Sequence, residues 1–288
     1  MTPVALAVAR PAPSPGPALA AGAGARYGLI GAGLAFVALP LYVVLPGHYA
    51  SKFGAPLAAL GFVLLMARLL DAVVDPWLGR WIDVCLARSR QSALRLGAVA
   101  AAVLLAGFVA LFFPPTLGGT ALLLWCAAML ILTYLGYSTL TVLHQAWGAR
   151  LGGDARFRAR VVSWREGCAL AGVMMASAMP SLLGLGATTW TLAALLVAGL
   201  VALAAGPWRQ DPVAVSDAGS WRLHWASRDF RTLIALYTLN GVASAIPATL
   251  VLFFIRDRLQ AGSHEALFLV LYFAAAAGSF PLWLRLIE

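Results

Sequence analysis

The stretch RLLDAVVDPWLGRWID, residues 68–83, decides how this chain is read. It sets Arg68, Asp71 and Asp75 in a run whose other members are mostly Leu, Val and Ala. The rest of the chain settles the solvent around them. The 288 residues are 62% hydrophobic and 11% charged, with a mean hydropathy of +0.87, whereas soluble domains carry about 25% charged residues. The apolar residues fall in blocks of about 20, the length at which a helix crosses a hydrocarbon layer. Only helices and closed barrels satisfy their backbone in lipid, and the blocks lack the alternation of barrel strands. The expected fold class is an all-α polytopic membrane protein.

Eight spans are expected, at 27–47, 57–79, 94–113, 120–147, 163–184, 188–207, 232–254 and 266–286. With the amino terminus inside, only Lys52, Arg256 and Arg258 among the 20 Lys and Arg fall on the outer side; Arg68 lies within a span. Positive connections stay cytoplasmic, so a cytoplasmic amino terminus in a cell (inner) membrane is expected. The +9 net charge is then accounted for by topology and anionic lipid, with no nucleic-acid partner. Residues 1–26, rich in Pro, Ala and Gly, read as a disordered cytoplasmic tail. Residues 208–231 read as a central loop in which Trp221 and Trp225 lie on the membrane surface. Cys85, Cys126 and Cys168 have no metal or disulfide spacing.

DPWLGRWID (75–83) lies over FPLWLRLIE (280–288), and GLAFVALPLYVVL in the first span echoes GVASAIPATLVLF in the seventh. Parallel six-span halves build major facilitator transporters. The expectation is a six-helix bundle over 27–207 followed by the first two helices, 232–288, of an incomplete second bundle. In this alignment Arg68, Asp71 and Asp75 face Phe273, Ala276 and Phe280, so packing alone does not require the charges.

Residues 68, 71, 75 and 79 recur at three- and four-residue steps and share one helix face. Each charge at the centre of a span disfavours insertion by roughly 2.5–3.5 kcal/mol. Such residues face a bundle interior or a watery cavity and mark ion or solute paths. Pro76 removes a backbone donor and loosens the helix near Ala72, offering a further oxygen. Two carboxylates and a carbonyl suit Na+, or two proton sites. Alternatively, Arg68 is the structural partner of one aspartate; a single guanidinium does not neutralise both.

The pattern R-x-x-D-A-x-x-D-P-x-x-G resembles the second-span signature of the glycoside–pentoside–hexuronide:cation symporters, the melibiose-permease branch of the major facilitator superfamily. Tyr27–Gly28 at the start of the first span fits the same family, and the likeness runs over about 27–286. It implies Na+- or H+-driven symport of a small polar solute, a sugar or glycoside, with no other cofactor. It assigns the cation to Asp71 and Asp75, and gives Arg165 a part in organising the cation and solute sites. Gly79, Asp83 and Arg88 resemble the superfamily's cytoplasmic latch between spans 2 and 3. Two positions depart from the family: Ala35 stands where an acid grips the sugar, and Thr141 where an acid joins the cation site.

The fourth span adds Tyr134, Tyr137, Ser138, Thr141, His144 and Gln145, donors and aromatic platforms suited to a polar solute. The expected partners are therefore a solute, a monovalent cation and the bilayer, with a monomer for the full-length protein. Two other readings are an inactive truncated transporter and a Mg-dependent prenyl or phosphatidyl transferase using DAVVD. The second lacks a further acidic cluster, which Mg2+ favours.

Overall fold

The structure, a computed structural model, describes residues 19–208, 225–264, 267–268, 270–276 and 278–279. It is helical, with no strand among the described residues. The tail up to residue 18, most of the central loop, and the FPLWLRLIE arm of the repeat lie outside them.

Helix α1 (Ala21–Leu39) begins six residues before the expected span, inside the segment assigned to the tail. It runs through a wide turn at Pro40–Val44, where Leu45 N–H bonds the Pro40 carbonyl five residues back, into α2 (Leu45–Phe53). Pro40 has no N–H to give, which favours such a widening inside a long helix. Gly54, with φ 65°, ends α2 in the left-handed conformation open to glycine. Helix α3 (Leu57–Arg88) has 32 residues and passes through Pro76 without ending. At 1.5 Å per residue it is about 48 Å long, well beyond a hydrocarbon core of about 30 Å. Ser89 caps α4 (Arg90–Phe112), its hydroxyl accepting from Ser92 N–H at 3.0 Å. Then come α5 (Gly119–Arg150), α6 (Ala155–Leu182, capped by Asp154), α7 (Gly184–Ala204) and α8 (Arg228–Phe253, capped by Ser227). Past a second wide turn, Phe254–Arg258, the described residues from 267 to 279 are helical.

Among the described residues five stretches are long and apolar enough to cross a membrane: Ala21–Phe53, α3, α4, α5 and α7. Helix α6 is not one of them, because Arg156, Arg158, Arg160, Arg165 and Glu166 crowd its first half. Its place comes from packing. Helices α1 and α6 run parallel with small residues facing at four-residue steps: Gly24 meets Trp164, Gly28 meets Trp164 and Cys168, and Ala32 meets Gly172. A Cβ at Gly28 would lie 2.5 Å from the Trp164 carbonyl oxygen, and one at Gly172 would strike the Ala32 backbone. Without a hydrophobic drive between helices in lipid, such close approach is what holds them together.

Two apolar clusters complete the bundle. The larger joins Phe36, Leu60, Leu104, Phe108, Leu130, Tyr134 and Leu196; the second gathers Tyr27, Leu78, Ile82, Leu86, Leu143 and Trp147. Beside the second, the end of α7 is clasped. Arg90 donates to the carbonyls of Leu203, Ala204 and Gly206 at 3.4, 2.5 and 3.0 Å. Arg26 reaches Ala205 O at 3.3 Å, and Trp147 Nε1 reaches Pro207 O at 2.9 Å. These cations sit where the helix dipole leaves partial negative charge.

Candidate functional site

Helices α3 and α5 pack side by side and bring together much of the residue set singled out in the sequence. Arg68 Nη1 donates to Asp71 Oδ2 at 3.1 Å, and Ser138 Oγ donates to Asp71 Oδ1 at 2.7 Å. The Asp71 side chain is 10% exposed and that of Arg68 39%. The guanidinium carbon of Arg68 lies 4.4 Å from the ring centre of Tyr42 and 4.6 Å from that of Tyr134. Asp71 thus has both oxygens engaged, and Arg68 is held between two aromatic faces, which attract a cation through the ring quadrupole.

Asp75 differs. Its Oδ1 is buried with no hydrogen-bond partner among the described residues, as are Thr141 Oγ1 and the Tyr134 hydroxyl. The Ser138–Asp71 bond fixes the register of the two helices at one level. One to two turns further on, a Cβ at Gly79 would meet Val142 at 4.0 Å. Asp75 and Thr141 fall between those two contacts, on facing helices. A buried carboxylate oxygen without a donor is costly. A proton or a monovalent cation removes that cost, and a hydroxyl nearby adds an oxygen to either.

The remaining candidates separate. Tyr137 is half-buried against the larger apolar cluster. His144, expected as a solute contact, is 2% exposed and tied to α1: its Nε2 donates to Tyr27 O at 2.9 Å, while Tyr27 OH donates to His144 O at 3.1 Å. The two rings lie 4.4 Å apart. This reciprocal clasp ties the imidazole to α1. Gln145 continues the Tyr134–Ser138–Thr141 stripe but is exposed, and it touches none of the other candidates by hydrogen bond.

Arg165 lies well inside α6, its side chain against Gly31 of α1. Both its Nε and Nη2 donate to Glu166 Oε1, at 3.0 and 2.7 Å. Glu166 lines an open cleft of about 530 Å³ with Ala35, Leu170, Val173, Phe273 and Ala276. At the far end of α3, Arg150 of α5 donates to the Asp83 carbonyl at 3.1 Å and approaches Asp83 Oδ1 at 3.4 Å. Arg88 is exposed in the last turn of α3.

Residues 26–288 match the sequence model of the family described as "MFS/sugar transport protein". The chain belongs to that family. Within the MFS/sugar transport proteins, a 153-residue stretch is 29% identical to the "Putative glycoside/cation symporter YagG" of Escherichia coli (strain K12). The match covers 52% of this chain and spans about a third, 33%, of that relative's length. Membership accords with the all-helical architecture and makes the chain an integral membrane protein of a transporter family rather than of an enzyme family.

Tyr42 and Glu166 are absent from the set chosen by sequence. Tyr42 has a signal, because an arginine inside a span needs partners beyond one carboxylate and Tyr42 lies just after the proline in the middle of the first span. Glu166 sits three residues inside the span expected to start at 163, but the helix starts eight residues before that, which sets Glu166 well within it.

Proposed function

We propose that this chain works as a secondary transporter that couples Na+ or H+ to uptake of a small polar solute, a sugar or glycoside, by alternating access. One observation carries the reading: Asp71 is neutralised by Arg68, while Asp75 Oδ1 and Thr141 Oγ1 are buried and unpartnered at one level of the α3–α5 contact. The coupling cation binds at Asp75, with Thr141 as an oxygen ligand. Asp71 and Ser138 hold the geometry, and Asp71 also enters the cation shell when Arg68 swings away. Binding removes an uncompensated charge from a membrane interior, so the liganded protein closes and rearranges at lower cost than the empty one. Tyr134 and Tyr137 shape the solute side, with Arg165. Gly79, Asp83 and Arg88 act as the cytoplasmic latch, with Arg150 as the partner of Asp83. The amino terminus is cytoplasmic and the membrane is the cell's inner membrane. Residues 27–207 form one bundle, and 232–288 belong to a second joined to it through 208–231.

The test is uptake by the full chain in proteoliposomes, with 4-nitrophenyl glycosides as solutes and an imposed Na+ or pH gradient. Gradient-driven accumulation is expected in the wild type, and Asp75→Asn abolishes the gradient dependence. Equal gradient-driven accumulation in Asp75→Asn refutes the assignment.

A further inference from the structure

Helix α3 carries the Arg68–Asp71–Asp75 network on the side turned to α5, and a different set of residues on the side turned away. We infer that this outer side is a binding site for one anionic phospholipid at Trp77, Arg80 and Trp81. Arg80 holds the phosphate beside the two indole rings, and an acyl chain lies along the apolar stripe that runs on toward Phe62. The inference stands on the membrane-spanning character of the chain and not on the symport reading.

Phe62, Met66, Leu69 and Val73 recur at three- and four-residue steps and are all exposed, as are Trp77, Arg80 and Trp81 beyond them. Residues so spaced share one helix face. That face is ordered by depth. From Leu57, the first residue of α3, to Trp77 the helix rises about 30 Å, the thickness of a hydrocarbon core. The stripe is apolar over that length, meets tryptophan where the core ends, and reaches arginine one turn later. Indole rings settle at the level of lipid headgroups, so the residue types follow the profile of a lipid from chain to phosphate.

Arg80 has donors to offer. Its Nε donates to the Pro76 carbonyl of its own helix at 3.5 Å, and its Nη groups meet no acceptor among the described residues. The guanidinium fork matches two phosphate oxygens at once. The nearest acid on the helix, Asp83, is approached by Arg150 at 3.4 Å, which offsets its repulsion of an anion. Arg88, about two turns on, adds positive charge. A zwitterionic headgroup brings an ammonium that both arginines repel, so the site favours an anionic lipid.

The tryptophans stand open in the same way. Trp77 is 73% exposed and Trp81 54%, and neither indole N–H has an acceptor among the described residues. Trp125 and Trp147, by contrast, donate to the carbonyls of Ala110 and Pro207. An indole N–H only donates, and the ester and phosphate oxygens of a phospholipid only accept. An open cleft of about 310 Å³ lies against Trp77 and Arg80, which gives a headgroup room beside both.

The experiment adds equimolar phosphatidylglycerol and phosphatidylcholine to the full chain in detergent and counts the retained lipid by native mass spectrometry. The wild type is expected to prefer phosphatidylglycerol by about fivefold, the contribution of an arginine beside an anionic headgroup. Arg80→Gln should abolish the preference, whereas Arg156→Gln, at an exposed arginine of α6, should keep it. Quenching of tryptophan fluorescence by dibrominated lipids decides the matter if Arg80→Gln does not fold. Brominated phosphatidylglycerol should quench the wild type more than its choline counterpart does, and Trp77→Phe with Trp81→Phe should remove that difference. No preference in the wild type, a preference that survives Arg80→Gln, or its equal loss in Arg156→Gln overturns the inference. A quenching difference that persists without the two tryptophans does the same. So does displacement of the lipid by glycerol 1-phosphate, which assigns Arg80 to a soluble anion instead.

Discussion

Replacing Asp71 and Asp75 singly by asparagine should have opposite effects, although the two sit one helical turn apart. Asp71→Asn strips Arg68 of its ion pair at 3.1 Å and weakens the 2.7 Å bond from Ser138. Breaking a fully buried pair costs roughly 3–5 kcal/mol. The Arg68 side chain is 39% exposed and keeps its two tyrosine faces, so solvent and the rings reduce the loss to about 2–3 kcal/mol. Asp75→Asn instead removes a charge whose Oδ1 has no partner. Leaving such an atom buried costs about 1–3 kcal/mol, so this variant should be as stable as the wild type or more so by about 1 kcal/mol. The assay is thermal unfolding of purified protein in detergent, with and without saturating Na+ and across pH. A ligand at one hundred times its Kd stabilises the folded state by about 2.7 kcal/mol. That increment should be present in the wild type, lost in Asp75→Asn, and retained on a lower baseline in Asp71→Asn. Retention of the increment in Asp75→Asn with loss only in Asp71→Asn refutes the division of roles between the two acids.

Other consequences are as direct. Gly172→Leu pushes a side chain into the Ala32 backbone and should destabilise the protein by about 1–3 kcal/mol, read as a lower unfolding temperature, while Gly22→Leu, with open space around it, should not. Tyr42→Ala should cost about 0.5–2 kcal/mol by removing one face of the Arg68 sandwich, and Tyr42→Trp should preserve it; equal melting of the two variants contradicts the contact. Tyr27→Phe loses one buried hydrogen bond to α5 and should cost about 1 kcal/mol, measured the same way. In a background without Cys85, Cys126 and Cys168, a cysteine at Leu117 should react with an impermeant maleimide in right-side-out vesicles, and one at Ser92 should be shielded until the membrane is opened.

Composition made the helical membrane architecture legible, because no soluble core hides this much apolar surface. The site was legible to the extent that intramembrane charge is rare: Arg68, Asp71 and Asp75 stood out by cost alone. Their pairing was not legible. Arg68 shares a helix face with both acids, one turn from Asp71 and two from Asp75, and its pairing with Asp71 is held by Ser138 and the tyrosines, which come from α5 and from the wide turn after α1. His144 looked functional because a histidine in a span invites chemistry. Its binding to the Tyr27 carbonyl depends on the α1–α5 approach, which no local pattern encodes. Helix ends were also missed, as at Ala21 and Ala155, because polar residues continue a helix beyond the apolar run that identifies it.

The clasp on the end of α7 has a mechanical meaning. Arg90, Arg26 and Trp147 reach it from α4, α1 and α5, so a pull on Trp208 is shared by four helices at once. Unwinding the last turn of α7 requires breaking several bonds to charged donors, each worth about 1.5–3 kcal/mol; rotation about the backbone at Pro207 and Trp208 breaks fewer. The chain leaves this bundle as a rope leaves a cleat, made fast at that moored point.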